Sequence, residues 1–340
     1  MASDNIEILK KLNVGITKFP RGISLEYNDS SNPHKLVMKL TQKAAGFSNP
    51  INMQEDSACF EAWCLIIKAQ TQTTIPDLEI ELDVEGINDS SYPSGRPSNG
   101  HLGRFLYRIL KFSEQYKVWF KLSENLKVLK DNFKQYLKSN RFETSAPSKE
   151  AETDLDKLLN KGLESYVEQL LVNSADKKEN ILKLSNKTAN SPDKVGRQLP
   201  VGLFEGTKAK DNVVFTGRTS AADFWAVDGD TIKVYELKSK NPMVGIITEI
   251  FFYSNYVYDV FIKKGNKMNP HTPKKYYRNY DKITGKKVQG IMLSNSDGWH
   301  PSLKDEKNRN PIIDIMNENG TDRKIQYCCL DYKLSITVTP

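Results

Sequence analysis

Two apolar runs, Ala222–Val227 and Thr231–Leu237, are separated by little more than Asp228-Gly229. That spacing constrains the chain more than any other feature. A tight Asp-Gly connection between two β-prone runs predicts a β-hairpin closed by a two-residue turn. With Asp228-Gly229 as the turn, Val227 pairs with Asp230 and Asp223 stands opposite Val234. Alternation along a strand puts Val234, Glu236 and Lys238 on one face. Asp223 then shares that face and lies diagonal to Glu236, about 7–8 Å away at the backbone. A three-residue turn would slide the pairing by one and send Asp223 to the other face unless a bulge restored it.

Phe224, Trp225, Ile232 and Leu237 mark the hairpin as buried over part of its surface. Unpaired charge is expensive there. Two carboxylates sharing a hard divalent cation remove the difficulty and make an oxygen-ligand site suited to Mg²⁺. Lys238 beside them can orient or polarise a water, or stabilise negative charge at a reacting centre. Metal, water and cationic side chain together are what phosphodiester hydrolysis requires. The alternative reading of the same residues is an exposed sheet edge carrying an ordinary cross-strand Asp/Lys/Glu pair.

A chain of 340 residues holds one large domain or two. The polar stretch Asn140–Thr153, with Pro147 and no apolar period, reads as a linker. It divides the chain into an N-terminal α+β region at 1–140, a linker at 141–152 and a second domain at 153–340. In the first region Cys59–Lys68 predicts an apolar helix and Ile75–Val84 a half-buried strand. Ile87–Gly100 has the composition of a loop. Leu102–Tyr136 predicts one or two basic helices whose aromatics, Phe105, Tyr107, Phe112, Tyr116, Trp119 and Phe120, are read as core.

In the second region, leucines from Leu155 to Leu171 form a helical stripe over Glu150–Val172, with a further helical piece at Lys177–Leu184. Gln198–Phe204 predicts a strand that precedes the hairpin. Asn241-Pro242 predicts an N-cap opening a helix over Met243–Ile262. Val288–Leu293 and Ile325–Leu330 read as buried strands, with a short helix at Pro311–Met316. Such an order gives a sheet flanked by helices.

The formal net charge is +7. Residues 104–141 carry ten Lys/Arg against three Asp/Glu, and residues 261–290 nine against one, which leaves the rest net acidic. Two basic segments on an acidic background point to a polyanion held at defined places. In the second segment Lys263, Lys264, Lys274, Lys275 and Arg278 are candidates for phosphate contacts and Tyr276 for base stacking. The four cysteines form no CxxC and the four histidines show no zinc spacing, so neither a disulfide scaffold nor a zinc site is expected. Met1–Lys11 lacks a signal pattern and no apolar run approaches a membrane span. A reduced, cytoplasmic setting without membrane contact is the expectation.

Asp223, a hairpin-length gap and then Glu236-Leu237-Lys238, with a helix before and after, resembles the PD-(D/E)XK superfamily of restriction-endonuclease-like nucleases. The family core is helix, three strands, helix, strand, and residues ~150–295 follow that order. The resemblance implies an α/β fold, a restriction-endonuclease-like mixed sheet flanked by helices, with a separate N-terminal α+β region. It implies that Asp223 and Glu236 bind Mg²⁺, with Mn²⁺ able to substitute, and that Lys238 is the catalytic lysine. It further implies an endonuclease acting on nucleic acid, DNA before RNA, working as a homodimer where both strands are cut, in a restriction or phage-defence setting. Ala222, where the family has Pro before its aspartate, is a departure the family tolerates. The family's extra glutamate on the first core helix corresponds to Glu164 or Glu168, and Glu168 is preferred because it is nearer the end leading to the sheet. A non-catalytic nucleic-acid-binding protein with a degenerate core would share the basic segments without needing Asp223, Glu236 and Lys238 together. A scaffold protein would have its basic segments away from the hairpin.

Asp228 and Asp230 read as turn chemistry rather than a calcium loop, and Gln198 as a polar neighbour of the site. Glu249, alone in an apolar helix, either supports the site or faces water.

Overall fold

The computed structural model describes residues 2–87, 95–176, 194–216, 220–240, 242–263, 268–270, 272, 275–318 and 324–333. The first half runs α1 (Ala2–Lys11), β1 (Ile23–Asn28), β2 (Lys35–Leu40), α2 (Gln42–Ala45), α3 (Phe60–Thr71), β3 (Glu79–Val84), α4 (Gly100–Gln115), β4 (Phe120–Leu122) and α5 (Glu124–Ser139). Its four strands form one sheet in the order β1-β2-β3-β4, antiparallel at β1/β2 and parallel beyond. The alternation in β3 sends Ile80, Leu82 and Val84 inward, as the period-2 pattern requires. The aromatics of α4 and the turn after it, Phe105 to Phe120, are buried among one another. They pack the core and present no stacking platform.

The chain continues through β5 (Phe142–Thr144), α6 (Leu155–Lys161), α7 (Leu163–Asp176), β6 (Lys194–Pro200), β7 (Leu203–Glu205), β8 (Val213–Phe215), β9 (Ala221–Asp228) and β10 (Thr231–Lys238). It ends with α8 (Gly245–Val257), β11 (Met268–Asn269), β12 (Lys287–Ser294), α9 (Pro301–Lys304), α10 (Glu306–Asn317) and β13 (Ile325–Asp331). A five-stranded sheet has the order β13-β12-β10-β9-β6. β6, β9 and β10 are antiparallel neighbours, whereas β12 is parallel to both β10 and β13. A parallel pair cannot be closed by a tight turn, and α8 lies in the crossover between β10 and β12.

Side-chain alternation gives this sheet two apolar faces. Phe224, Ala226, Tyr235 and Leu237 pack with Val167 and Leu171 of α7. Trp225, Val227, Ile232 and Val234 join the cluster that contains Ile246, Ile250 and Phe251 of α8. The result is mixed α/β, with helix, sheet and helix in three layers. No described helix is long and apolar enough to cross a membrane.

Several expectations are revised. The stripe over 150–172 is two helices, because Gly162 at φ 144° ends α6 and its amide bonds back to Leu158 and Leu159. The strand expected at 198–204 is two strands in different sheets: β6 belongs to the five-stranded sheet and β7 to a small one ordered β11-β5-β7-β8. The stretch expected as a linker contains β5, which pairs with β7, and Thr144 and Ser145 are buried. One apolar cluster runs from Leu9 in α1 to Tyr327 in β13, so the two halves share a core. The Lys177–Leu184 helix and Asn241 lie outside the described residues. The helix expected from Met243 begins at Gly245, and the amide of Val244 donates to Asp56 Oδ1 at 3.3 Å, across from the first half.

His300 provides a test of this shared core. It caps α9, its Nδ1 accepting the Ser302 amide at 3.2 Å, and it stands edge-on to Trp63 at 5.7 Å. Burial lowers its pKa from 6.5 to about 4. The folded chain therefore keeps the ring neutral while the unfolded chain protonates it. Its stabilising contribution is complete above pH 6.5 and is lost as the pH falls toward 4. His300→Asn keeps a capping oxygen but no titrating ring. It should flatten the acid limb of the stability–pH curve measured by urea unfolding; an unaltered slope would rule His300 out as the titrating group.

Candidate active site

The hairpin that frames the site pairs Asp228 with Thr231, Val227 with Ile232 and Phe224 with Tyr235. The two loop residues are thus Gly229 and Asp230, not Asp228 and Gly229. Gly229 takes φ 57° at the first loop position, where a tight hairpin turn needs a left-handed residue. Asp228 stays in the strand, held by Lys233 Nζ at 2.7 Å. The pairing is displaced by two residues from the expected one, so the parity of the faces is unchanged. Continued by one step, the register sets Asp223 directly across from Glu236 rather than diagonal to it. The ladder stops there, and the Leu237 amide donates instead to Asp223 Oδ2 at 2.6 Å.

Lys238 is the centre of the charge arrangement. Its Nζ donates to Glu236 Oε1 at 2.7 Å and lies 3.0 Å from Glu249 Oε2 and 3.8 Å from Glu164 Oε1. The contact to Glu249 is an ion pair without hydrogen-bond alignment, and Glu236 Oε2 is buried with no hydrogen-bond partner. Glu236 and Lys238 come from β10, Asp223 from β9, Glu249 from the α8 layer and Glu164 from the first turn of α7. These residues and Arg104 of α4 line one cavity of about 320 Å³. Asn52 and Gln54 of the first half form another wall. They are held close because α8 begins at a glycine: a Cβ at Gly245 would sit 2.3 Å from the Gln54 carbonyl oxygen.

Burial pushes the Asp223 carboxyl well up, and Glu168 and Glu164 add to the effect. Burial likewise raises Glu236, with Asp223 and Glu249 adding to it. Burial also raises Glu164. Burial works against a charged Lys238, but Glu236, Glu249, Asp223 and Glu164 outweigh it and hold the ammonium well above its ordinary pKa. Lys238 is therefore a firm cation, able to donate hydrogen bonds and unable to act as a resting base. Glu236, Glu249 and Glu164 lie within 3.8 Å of this one ammonium and Asp223 lines the same cavity, so acidic groups outnumber the cations on its wall.

Glu168 is not on the cavity wall. It is buried and bonded to Arg197 Nε at 2.7 Å. Burial nonetheless leaves its pKa raised. Of the two candidate glutamates, the structure brings Glu164 into the pocket and commits Glu168 to Arg197. Glu249 does not face water: it is buried on the cavity wall against Lys238, and its isolation in an apolar helix was the available signal. Nothing local in the sequence marked Arg104.

A second cavity of about 460 Å³ shares Ser220 and Ala221 with the first and is lined in part by Gln198, Lys149 and Arg278. Arg278 is half-buried and donates to the carbonyls of Lys149 and Gln198, both at 3.0 Å, so it fastens the basic loop to the sheet. Lys263 and Lys275 are exposed, Lys275 Nζ lies 4.9 Å from the Tyr277 ring, and Tyr276 is 43% exposed. Lys264 and Lys274 lie outside the described residues. In the first basic segment Arg108, which bonds Glu61, and Lys111, whose Nζ is 2.5 Å from Asp259, are internal, whereas Lys117, Lys127, Lys138 and Arg141 are exposed.

Among the described residues no three His, Cys, Asp or Glu side chains form a ready metal cage. Glu236 leans onto Lys238, as a carboxylate must when the ammonium is its nearest cation. Comparisons with protein-family models, curated proteins and solved structures find no match for this chain.

Proposed function

We propose that this chain is a Mg²⁺-dependent nuclease of the PD-(D/E)XK type that hydrolyses phosphodiester bonds in DNA. The observation that carries the reading is the convergence of Asp223, Glu236 and Lys238 on one cavity, with Glu249 and Glu164 around them. The order α7, antiparallel β6-β9-β10, α8 and parallel β12 supports it, because this is the helix, three strands, helix, strand order of that family.

The donor set fits a divalent cation. Buried Glu236 and half-buried Asp223, both with raised pKa values, line one cavity, and one oxygen of Glu236 lacks a partner. A hard cation would let both remain carboxylates. Asp223 and Glu236 would hold it, with Glu164 within the same cavity. Bound there, Mg²⁺ would supply the positive charge that phosphodiester hydrolysis demands. Lys238, kept protonated by its acidic neighbours, is positioned to orient the attacking water and to stabilise negative charge developing at phosphorus. Glu249 fixes the lysine from α8. The adjoining cavity over Ser220 and Ala221 continues toward the basic loop and gives the polyanion a path away from the acidic centre.

Supercoiled plasmid incubated with the full chain should be nicked in Mg²⁺ and left intact in EDTA. Binding without cleavage in any divalent metal would favour the degenerate binding module instead. Lys275→Gln should weaken DNA affinity and make the dependence of log K on log salt shallower by about one. An unchanged salt slope would take the loop off the substrate path.

A further inference from the structure

Arg104 projects from α4 of the first half and lines the same cavity as Asp223, Glu236 and Lys238. Its environment differs from that of the other arginines with buried guanidinium groups. Arg108 is taken by Glu61, Arg197 by Glu168 and Arg309 by Asp331. Arg104 donates from Nη2 to Nδ1 of His101 at 3.0 Å, and among the described residues it makes no ion pair. Burial lowers the His101 pKa, so this imidazole accepts as a neutral ring and gives the arginine no counter-charge; Glu249 acts on it only from beyond bonding distance. The guanidinium has five N–H donors, and a single bond to His101 leaves most of its fork open.

A guanidinium that forms no ion pair beside clustered carboxylates is unusual, since pairing with one of them would relieve both. Lys238 already occupies Glu236 and Glu249, which leaves Arg104 as the wall's other fixed cation. A planar fork suits the two non-bridging oxygens of a phosphodiester, which it can bind bidentately.

We propose that Arg104 is the phosphate clamp of this pocket: it binds the non-bridging oxygens of the phosphodiester to be cut. The assignment rests on the nuclease reading of the cavity. It makes the first half part of the active site and not a detachable recognition module. The acidic cluster holds the attacking side of the reaction, and Arg104 holds the anionic group against it. Gln54, pinned on Gly245, and Asn52 come from the same half and shape the wall between them.

The test uses the full chain with plasmid cleavage in Mg²⁺ and binding of a labelled DNA oligonucleotide in EDTA. Arg104→Gln should lower kcat/KM by about 100–1000-fold and weaken oligonucleotide binding. Arg104→Lys should recover little, because an ammonium cannot present a fork. Free guanidinium at low millimolar concentration should partly restore cleavage by Arg104→Ala and should not restore Lys238→Ala. Cleavage by Arg104→Gln within about twofold of the unsubstituted chain overturns the clamp and leaves the nuclease reading standing. Loss of oligonucleotide binding in Arg104→Gln, with no cleavage by the unsubstituted chain, removes the nuclease reading and overturns the clamp on a bond to be cut, leaving Arg104 as a phosphate contact of a binding module. If Arg104→Gln does not fold, the guanidinium experiment on Arg104→Ala decides, and absence of rescue counts against the clamp.

Discussion

On the proposed nuclease reading, Lys238→Ala should lower Mg²⁺-dependent plasmid nicking by about 1000-fold or more, since it removes the cation that would face the reacting centre. The same substitution should change stability in a metal-dependent way. Lys238 is buried between Glu236 and Glu249, at 2.7 and 3.0 Å. Deleting a buried partner leaves uncompensated charge, which costs about 3–5 kcal/mol. A divalent cation can supply the missing charge, so the variant should unfold at a lower temperature in EDTA and recover part of the loss in Mg²⁺ or Ca²⁺. The unsubstituted chain, whose carboxylates already share an ammonium, should gain less from the same metal. Thermal unfolding with and without metal, alongside the nicking assay, measures both effects. Nicking by Lys238→Ala at the unsubstituted rate would end the catalytic assignment. Equal metal stabilisation of the two proteins would detach the cation site from Lys238.

The second large effect concerns the joint between the two halves. Arg108 of α4 bonds Glu61 of α3 through Nε at 2.6 Å and through Nη2, and Nη2 also donates to the Ala58 carbonyl at 2.7 Å. Thr248 of α8 adds a hydroxyl donor to Glu61 at 3.2 Å. Glu61 is fully buried. Arg108→Met removes the cation and strands that carboxylate, at a cost of about 3–5 kcal/mol. In a chain of this size the midpoint should fall by about 4–7 °C. The double substitution Arg108→Met/Glu61→Leu should recover most of the loss, because it removes the stranded charge and replaces the pair with apolar volume. A single variant as stable as the unsubstituted chain would mean that water or another cation reaches Glu61. The joint also bears on the site, since the helix carrying Thr248 carries Glu249 one residue later.

Periodicity within a segment was reliable here because its cause is local. Alternation in AADFWAVD and TIKVYELK follows from the pleat, so Asp223, Glu236 and Lys238 were placed on one face from the residues alone. An error of two residues at the turn left that conclusion intact, whereas an error of one would have reversed it. The turn itself was misassigned because Lys233 holds Asp228 in the strand, and that contact depends on the finished hairpin.

Glu164 and Glu168 show where periodicity stops being informative. They lie one turn apart on α7 with the same chemistry, and the difference between them is Arg197 on β6, which binds Glu168. The linker expectation failed for a similar reason. A polar segment with a proline reads as loose until its partner strand β7 supplies the other half of its hydrogen bonds. The sequence by itself determined the hairpin, the shared face of Asp223, Glu236 and Lys238, and the apolar helix that follows. Only the tertiary structure decided that Glu249, Glu164 and Arg104 complete the pocket, because the helix after the hairpin must turn Glu249 back onto it, and Glu164 and Arg104 reach it from helices 74 and 134 residues before Lys238, which no local pattern records.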